Sequence, residues 1–259
     1  MTGPSLTVRF LEPSLGGGSI IRTPEGVVLV IDPGSQESAG RLKQYLTDLG
    51  FKKLVLLISN PARERAGAVR SLVESVRVSA LYRGERSSRF NWWKRALGAA
   101  KQNGVREIVL KGGDIVKLSR SCRLEVLSPP LEGGRLGLDE DSLVIRLLYG
   151  RRSFLFTADI GLRAEARMIR SGKDIQSDVM TVPRGGRRGA TSLEFLSMVR
   201  PEICVIDVRT KREPADSVLE RLATQNTGAD VFRTDERGTV TIRTNGRSIV
   251  VDAQEADRG

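Results

Sequence analysis

Residues 53–67 read KLVLLISNPARERAG, and this stretch decides the fold. Residues 54–58, LVLLI, form an apolar run of the length of a buried strand, and residues 66–76 begin a helical pattern. The polar loop between them, residues 60–65, therefore lies where a buried strand leads into a helix. Because α/β proteins place their chemistry at the ends of central strands, this basic loop without histidine is the first candidate site.

The alternation of strands and helices continues along the chain. Further helical patterns cover residues 39–50, 87–103, 162–169, 192–199 and 218–224. Strand patterns cover residues 6–11, 19–22, 27–32, 54–58, 76–82, 107–110, 115–118, 124–127, 142–149, 153–157, 179–182, 204–208, 231–233, 239–244 and 248–251. Two sheet halves, each with helices outside, predict an α/β protein folded as one four-layer αββα sandwich. We expect a single domain over residues 1–259, with its framework at 6–251 and a mobile acidic tail at 252–259.

The chain is strongly basic. Its 42 Lys and Arg residues against 31 Asp and Glu give a net charge of +11, carried mostly by arginine. Arginine makes forked contacts with phosphate, so this balance favours nucleic acid or another polyanion as partner. The alternative is an arginine-heavy surface that reflects a genome rich in G and C.

Several classes of function are excluded or disfavoured by composition. The chain has no histidine, which removes imidazole general bases, the triads built on them and most zinc sites. Cys122 and Cys204 are far apart in apolar contexts, so buried thiols are expected rather than a disulfide. The N-terminus MTGPSLTVRF lacks the features of a signal peptide, and no apolar run is long enough to span a membrane. We therefore expect a cytoplasmic protein without membrane insertion; the oligomeric state is open.

Two other features each allow two interpretations. The run Gly16-Gly17-Gly18 can cradle phosphate, but no Gly-Lys-Ser/Thr follows and no helix begins there, which favours a flexible turn. The helical segment 87–103 interleaves aromatic and basic residues that can stack bases and hold phosphates. The same aromatic side chains can instead pack the helix onto the sheet, which is the more common outcome.

The ordered segments LTVRFLE, GGGSIIRTPEGVVLVIDPG, LVLLISNPARERAG, DSLVIRLLYGRRSFLFTADI, DVMTVPRGGRRG and VIDV, the last followed by KREP and SVLERL, together resemble the metallo-β-lactamase fold. They look most like the soluble hydrolase-like domain of the ComEC-type competence DNA-uptake proteins. This resemblance covers nearly the whole chain. It implies a two-metal hydrolytic centre whose histidines and aspartates come from loops at one edge of the sandwich, with DNA as the substrate of this branch.

The sequence departs from that family's pattern at nearly every ligand position. The first loop of the family has His-x-Asp-x-Asp-His; the corresponding positions here are Asn60, Ala62, Glu64 and Arg65. The paired histidines of a later loop correspond to Arg184 and Gly185, and the histidine before proline in the last loop corresponds to Glu213. Asp159 is retained, as is Asp32, which in such folds is mainly a structural loop acid.

Arginine at a ligand position does more than remove a ligand. A guanidinium stays protonated, donates no lone pair and repels a dication at a cost of a few kcal/mol at about 4 Å. Arg65 or Arg184 near the former site would therefore exclude zinc. We expect no catalytic residues, no metal and no cofactor, and hence a pseudoenzyme rather than an enzyme.

Three interpretations of the altered site follow. In the first, the pocket binds DNA or another polyanion through arginines and a glycine backbone, at Arg63, Arg65, Arg184, Gly185, Gly186, Arg187, Arg188 and Arg212. The same arginines can instead form ion pairs with Glu64, Asp159, Glu213 and Asp32, which would fill the cavity without a ligand. In the second, a residual hydrolase or nuclease binds Mg²⁺ or Mn²⁺ through carboxylates alone, at Asp32, Glu64, Asp159, Asp207 and Glu213. In the third, the fold is a scaffold for a protein partner.

Overall fold

The structure, a computed structural model, describes residues 4–85, 90–129, 134–209, 213–224 and 228–252. The strands are β1 Leu6–Phe10, β2 Ser19–Arg22, β3 Val28–Ile31, β4 Lys53–Ile58, β5 Arg77–Gly84, β6 Arg106–Leu110, β7 Ile115–Lys117, β8 Cys122–Ser128, β9 Val144–Tyr149, β10 Arg152–Phe156, β11 Val179–Thr181, β12 Ile203–Ile206, β13 Asp230–Arg233, β14 Val240–Thr244 and β15 Ile249–Asp252. The helices are α1 Ala39–Asp48, α2 Arg63–Ala66, α3 Val69–Ser75, α4 Asn91–Gln102, α5 Leu162–Arg170, α6 Leu193–Val199, α7 Asp216–Thr224 and α8 Thr234–Arg237. Short 3-10 helices cover Pro13–Leu15 and Pro183–Gly186.

The strands form two sheets. An eight-stranded sheet has the order β15-β14-β1-β2-β3-β4-β5-β6, and a seven-stranded sheet has the order β13-β12-β11-β10-β9-β8-β7. Strands β3 to β6 are parallel in the first sheet, and strands β10 to β13 are parallel in the second. Helical connections between parallel strands place helices on the outer face of each sheet.

Three apolar clusters hold the layers together. The largest lies between the two sheets and includes Phe10, Leu57 and Phe156. A second packs α1, α3 and α4 on the eight-stranded sheet, and a third packs α5, α6 and α7 on the seven-stranded sheet. The result is the four-layer αββα sandwich expected from the sequence.

The apolar sequence of the central strand β4 accounts for its burial. Apart from its first residue and the partly buried Val55, it is buried, as expected of a parallel strand covered on both faces. Helix α6 begins where the side-chain oxygen of Ser192 accepts a hydrogen bond from the backbone N–H of Phe195 at 3.2 Å.

The helix after β4 differs from its prediction. Residues 63–65, expected in a loop, lie in α2, and the helical path is then interrupted before α3. The cause is the chain after β3: the backbone N–H of Gly34 donates to the carbonyl of Arg65 at 3.1 Å, and that of Ala68 donates to the carbonyl of Gly34 at 3.0 Å. The backbone of Gly34 thus takes the place of helical hydrogen-bond partners between α2 and α3. The same segment also passes close to Gly67, where an added Cβ would lie 2.7 Å from the backbone nitrogen of Gln36.

Other differences concern the ends of the chain. Asp252, placed in the mobile tail by the sequence, is the last residue of β15 and pairs with Arg243. The rest of that predicted tail, residues 253–259, lies outside the described residues. Within the described part of the chain, no helix combines the length and hydropathy needed to cross a bilayer.

Candidate functional site

The candidate site lies where the parallel strands of both sheets end. Asp32 follows β3, Asn60 follows β4, Asp159 follows β10 and Asp207 follows β12. Carboxyl ends of parallel strands meet at one edge of a sheet, and in this sandwich both sheets present those ends on the same side. The topology thus brings together side chains that are up to 175 residues apart in sequence (207 − 32).

Arg65, on α2, occupies the middle of this edge. Its Nη1 donates a hydrogen bond to Oδ2 of Asp32 at 2.5 Å, and its Nε and Nη2 donate to the two carboxylate oxygens of Asp159. Arg65 is 5% exposed and Asp32 is 2% exposed, so both charges are withdrawn from water. One guanidinium therefore joins two carboxylates that belong to different sheets.

The charges of this cluster stabilise one another. Burial alone would raise the pKa of Asp159, but the charge and hydrogen bonds of Arg65 outweigh it and hold that pKa well below its usual range. Burial opposes the charge on Arg65 too, and the carboxylates of Asp159 and Asp32 more than offset it, so the pKa of Arg65 is raised. Asp159 and Arg65 are consequently both ionised at neutral pH.

Neutral side chains fix the positions of the acids. Ser59 donates to Asp32 from its backbone N–H at 2.8 Å and from its hydroxyl at 2.6 Å. The amide nitrogen of Asn60 donates to Ser142 at 2.8 Å and to Asp159 at 3.2 Å, while its oxygen accepts from the backbone N–H of Ala62 at 2.9 Å. Asn60 thus acts as a hydrogen-bonding brace at a position where the resembled family has a metal ligand.

Three residues at this edge adopt the left-handed backbone conformation. Asp32, Ala158 and Arg184 have φ values of 52°, 53° and 56°. Such conformations are costly for residues other than glycine and persist only where the surroundings impose them, which is common at functional sites.

Further ion pairs surround the central cluster. Arg209 donates from Nε and Nη2 to Oδ2 of Asp207 at 2.9 and 2.5 Å. Arg187 donates from Nε to Oε1 of Glu213 at 2.6 Å, and the other carboxylate oxygen of Glu213 accepts from the backbone N–H of Arg209 at 2.7 Å. Each of these acids is therefore held by at least one arginine.

A cleft of about 460 Å³ lies above the cluster. The basic residues that line it are Arg41, Arg65, Arg184, Arg187 and Arg209. The acidic residues that line it are Glu37, Glu64, Asp139, Asp159 and Glu213. Among the described lining residues, those at the rim included, the charges thus balance, so the cleft as a whole does not attract anions by net charge.

The predicted anion-binding residues fall into three groups. Arg65 is buried in the ion cluster, and Gly185 and Gly186 are buried where a Cβ would meet Glu213 at 2.7 Å and Pro214 at 2.6 Å. A second group lies at the rim of the cleft or beside it, with partial or full exposure: Arg63, Arg184, Arg187 and Arg188. Arg212 lies outside the described residues.

The rim arginines differ in their partners. Nη2 of Arg184 donates to Asp139 at 2.9 Å, with the two side chains 28% and 45% exposed. Arg187 is 53% exposed in its pair with Glu213. Arg188 is exposed, and the described part of the chain gives it no ion pair. Each of these groups can present donors to a ligand outside the cleft.

The remaining positions with altered ligands also lie at the cleft. Ala62 and Glu64 line its wall, and Glu64 is exposed. The four acids Asp32, Asp159, Asp207 and Glu213 all pair with arginine, as the ion-pair alternative from the sequence expected for Asp32, Asp159 and Glu213. That alternative also included Glu64, which has no ion pair in the part of the chain that the structure describes.

Sequence reasoning missed residues that shape the site. Arg209 is not among the ligand-binding residues expected from the sequence, although its place two residues after Asp207, just beyond β12, is a usable signal. Asp139 and Glu140 carried no such signal: they come from a loop whose course is set by the tertiary structure. Glu140 accepts from the backbone N–H groups of Gly161 and Ala164 at the start of α5, at 3.2 and 2.8 Å.

Glu165 was also missed, although it holds the loop that carries the rim arginines. It is fully buried and accepts from the backbone N–H groups of Thr191 and Ser192 at 2.5 and 2.9 Å. Burial raises its pKa, against the effect of these hydrogen bonds. The Glu165 side chain therefore connects α5 to the C-terminal end of the segment 183–192.

The glycine run of residues 16–18 is closely packed and differs from the flexible turn expected. A Cβ on Gly18 would lie 2.1 Å from the carbonyl oxygen of Asp32, and one on Gly16 would lie 2.3 Å from the hydroxyl of Ser38. The backbone N–H of Gly18 donates to Asp207 at 3.3 Å, so it points at a carboxylate and not toward a phosphate site.

The residues present do not fit the two-metal centre implied by the resemblance. Both carboxylate oxygens of Asp159 accept hydrogen bonds from Arg65, and the chain has no histidine to supply nitrogen ligands. Across the described residues, no group of three or more Asp, Glu, Cys or His side chains is arranged to hold a metal ion.

No family model matches the chain. A similar curated protein is ComE operon protein 3 of Bacillus subtilis (strain 168), which is 26% identical over 207 residues, or 78% of this chain. The match covers 26% of that protein, so the chain spans about a quarter of the length of this relative.

Among solved structures, Zn²⁺-bound PqqB from Methylobacterium extorquens is similar in fold. It superimposes with a TM-score of 0.53 at 11% sequence identity, and the match covers 87% of this chain and 86% of PqqB. A putative metallo-β-lactamase from Thermotoga maritima gives a TM-score of 0.44 at 13% identity, covering 63% of this chain and 83% of its own.

Proposed function

Starting from a chain that has the metallo-β-lactamase fold and is similar in sequence to part of ComE operon protein 3, we propose that it binds single-stranded nucleic acid without hydrolysing it. One observation supports the absence of hydrolysis: the guanidinium of Arg65 is hydrogen-bonded to both Asp32 and Asp159. It provides the positive charge that these acids need, and it does so with a group that cannot activate water.

The chemistry of the guanidinium explains why hydrolysis is lost. A metal ion accelerates phosphodiester hydrolysis by lowering the pKa of a bound water and by clamping the reacting oxygens. A guanidinium has no open coordination position and stays protonated, so it supplies neither effect. The retained acids act in this chain as counter-ions of Arg65.

The distribution of charge supports nucleic acid as the ligand. The charges that line the cleft are balanced, while the whole chain carries +11. Arg184 and Arg187 line the cleft, on and just after the 3-10 helix that follows β11, and the exposed Arg188 is the next residue along the chain. Forked guanidinium groups are suited to phosphate oxygens, so a strand laid across the rim meets three successive donors.

A binding measurement tests this function. We expect fluorescein-labelled dT20 to bind, with the logarithm of the affinity falling against the logarithm of NaCl concentration with a slope of about −2, for three phosphate contacts on a single strand. Arg184→Ala combined with Arg187→Ala should flatten the slope by about 1.4, and Arg188→Ala alone by about 0.7.

Matched controls separate binding from folding. Arg188→Ala disturbs no ion pair in the described structure, whereas Arg187→Ala leaves Glu213 with one partner fewer, so circular dichroism must show that the double variant is folded. Arg170→Ala, at the far end of α5, should leave the slope unchanged. Absence of binding by the folded wild type would contradict the proposal and favour a scaffold for a protein partner.

A further inference from the structure

Beside the rim, Arg63 lies over the indole ring of Trp92. The carbon at the centre of the guanidinium is 5.4 Å from the centroid of the ring, which is the geometry of a cation–π contact. Trp92 is partly buried against the core of α3 and α4, and it also contacts Trp93 edge to face with centroids 5.8 Å apart. The indole thus supports the guanidinium of Arg63 from below.

Arg63 remains exposed despite this contact. Its guanidinium therefore contacts Trp92 while the side chain stays accessible to solvent. Planar guanidinium groups stack on nucleobases in the same manner as aromatic rings do. An arginine held against a tryptophan is a preorganised platform, since the side chain has already lost part of its rotamer freedom.

The position of this platform connects it with the rim. Arg63 lies between Ala62 and Glu64, which both line the cleft. Arg95 on α4 is exposed and is three residues after Trp92, so the two share a helix face. A phosphate donor therefore lies on the same helix face as the tryptophan that supports the platform.

We propose that a nucleobase of the bound single strand stacks on the outer face of Arg63, which is then sandwiched between the base and Trp92. This inference rests on the proposed function, because it gives a binding place to one base of a strand whose phosphates are bound by the rim arginines. It assigns the aromatic and basic segment a dual role: Trp93, 1% exposed, packs the helix onto the sheet, while Trp92 supports the platform.

Stacking and charge make different demands on the ligand. The rim arginines bind phosphates whether or not bases are present, whereas the platform requires a base. Stacking contributes roughly 1–3 kcal/mol per base, which is about a 5- to 150-fold change in affinity. An abasic strand of equal charge should therefore bind more weakly than dT12 by a factor in this range.

The experiment compares fluorescein-labelled dT12 with an abasic 12-mer of tetrahydrofuran residues, by anisotropy at constant salt. For the wild type we expect dT12 to bind at least fivefold more tightly. Arg63→Lys keeps the charge but loses the plane, so dT12 should fall to near the abasic level while the abasic strand changes by less than about twofold. Arg70→Lys, an exposed ion-paired arginine on α3, is the matched control and should leave the affinity of both strands unchanged.

The outcomes separate the two proposals. Equal binding of both strands by the wild type, or an Arg63→Lys variant that still prefers dT12 by the wild-type factor, would overturn the platform while the phosphate-binding function stands. If neither strand binds the folded wild type, the proposed function fails and the platform fails with it.

Discussion

Arg65 forms a forked pair with Asp159, in which Nε and Nη2 of the guanidinium donate to the two oxygens of a single carboxylate. The third nitrogen, Nη1, donates to Asp32 in the other half of the sandwich. The resemblance to the metallo-β-lactamase fold implies that the positions of Arg65 and Asp159 correspond to metal ligands. In this chain one position supplies a cation and the other supplies its counter-ion.

Removal of the Arg65 guanidinium should destabilise the fold. It should also reverse the way in which the carboxylates at this site make the free energy of unfolding depend on pH. Arg65→Met leaves the buried carboxylate of Asp32 and the partly buried carboxylate of Asp159 without their arginine partner, for which we expect a loss of about 3–5 kcal/mol at pH 7.5. In the wild type the pKa of Asp159 is lowered, so its contribution to stability is present above the unfolded pKa and is lost only as the pH falls below that value.

In the Arg65→Met variant, the contribution of these carboxylates to stability depends on pH in the opposite direction. Buried carboxylates without a cation have raised pKa values, so their stability contribution is present below the unfolded pKa and is lost as the pH rises through the folded pKa. Urea unfolding at pH 4.5 and 7.5 should show a smaller loss at the lower pH. Arg70→Met, on the surface of α3, is the control; equal losses for the two variants would contradict a central role for the buried pair.

Divalent cations should not stabilise the wild type. A ligand that binds only the folded state raises the melting temperature by mass action, and Arg65 leaves no position at Asp159 for a metal ion. We expect a shift of less than about 1 °C with 1 mM ZnCl₂ or MnCl₂ in differential scanning fluorimetry, and no hydrolysis of single-stranded DNA in Mn²⁺. Tight metal in the purified protein, with DNA hydrolysis that disappears in Asp159→Ala, would instead support the carboxylate-only hydrolase.

The glycine run should tolerate no side chain. Gly18 and Gly26 have φ values of 78° and 84°, but a Cβ on Gly18 would collide with the carbonyl oxygen of Asp32, whereas one on Gly26 would meet no atom within 4 Å. Gly26→Ala should therefore cost only about 1–2 kcal/mol for the left-handed backbone. Gly18→Ala adds a collision with fixed backbone, for which we expect on the order of 3–5 kcal/mol in urea unfolding. If both variants lose a similar free energy of unfolding, the glycine run of residues 16–18 is a flexible turn that can relieve the collision.

The sequence by itself determined the class of fold and most of its elements. Alternating apolar runs and helical patterns depend on local periodicity, which is why β4 and α1 were placed within two residues of their observed ends. Composition also fixed the chemistry that is impossible here, since no arrangement of this chain can supply an imidazole. The resemblance to the metallo-β-lactamase fold implied that Arg65 and Asp159 lie at one edge of the sandwich.

Only the tertiary structure decided what those residues do there. Whether an arginine binds a ligand or a carboxylate depends on distances between segments far apart in sequence, such as residues 32, 65 and 159, and no local pattern encodes them. The path of residues 134–142 brings Asp139 to Arg184 in the same way. Burial then sets the outcome: a guanidinium withdrawn from water must pair with an acid, whereas those left at the rim keep donors for a phosphate.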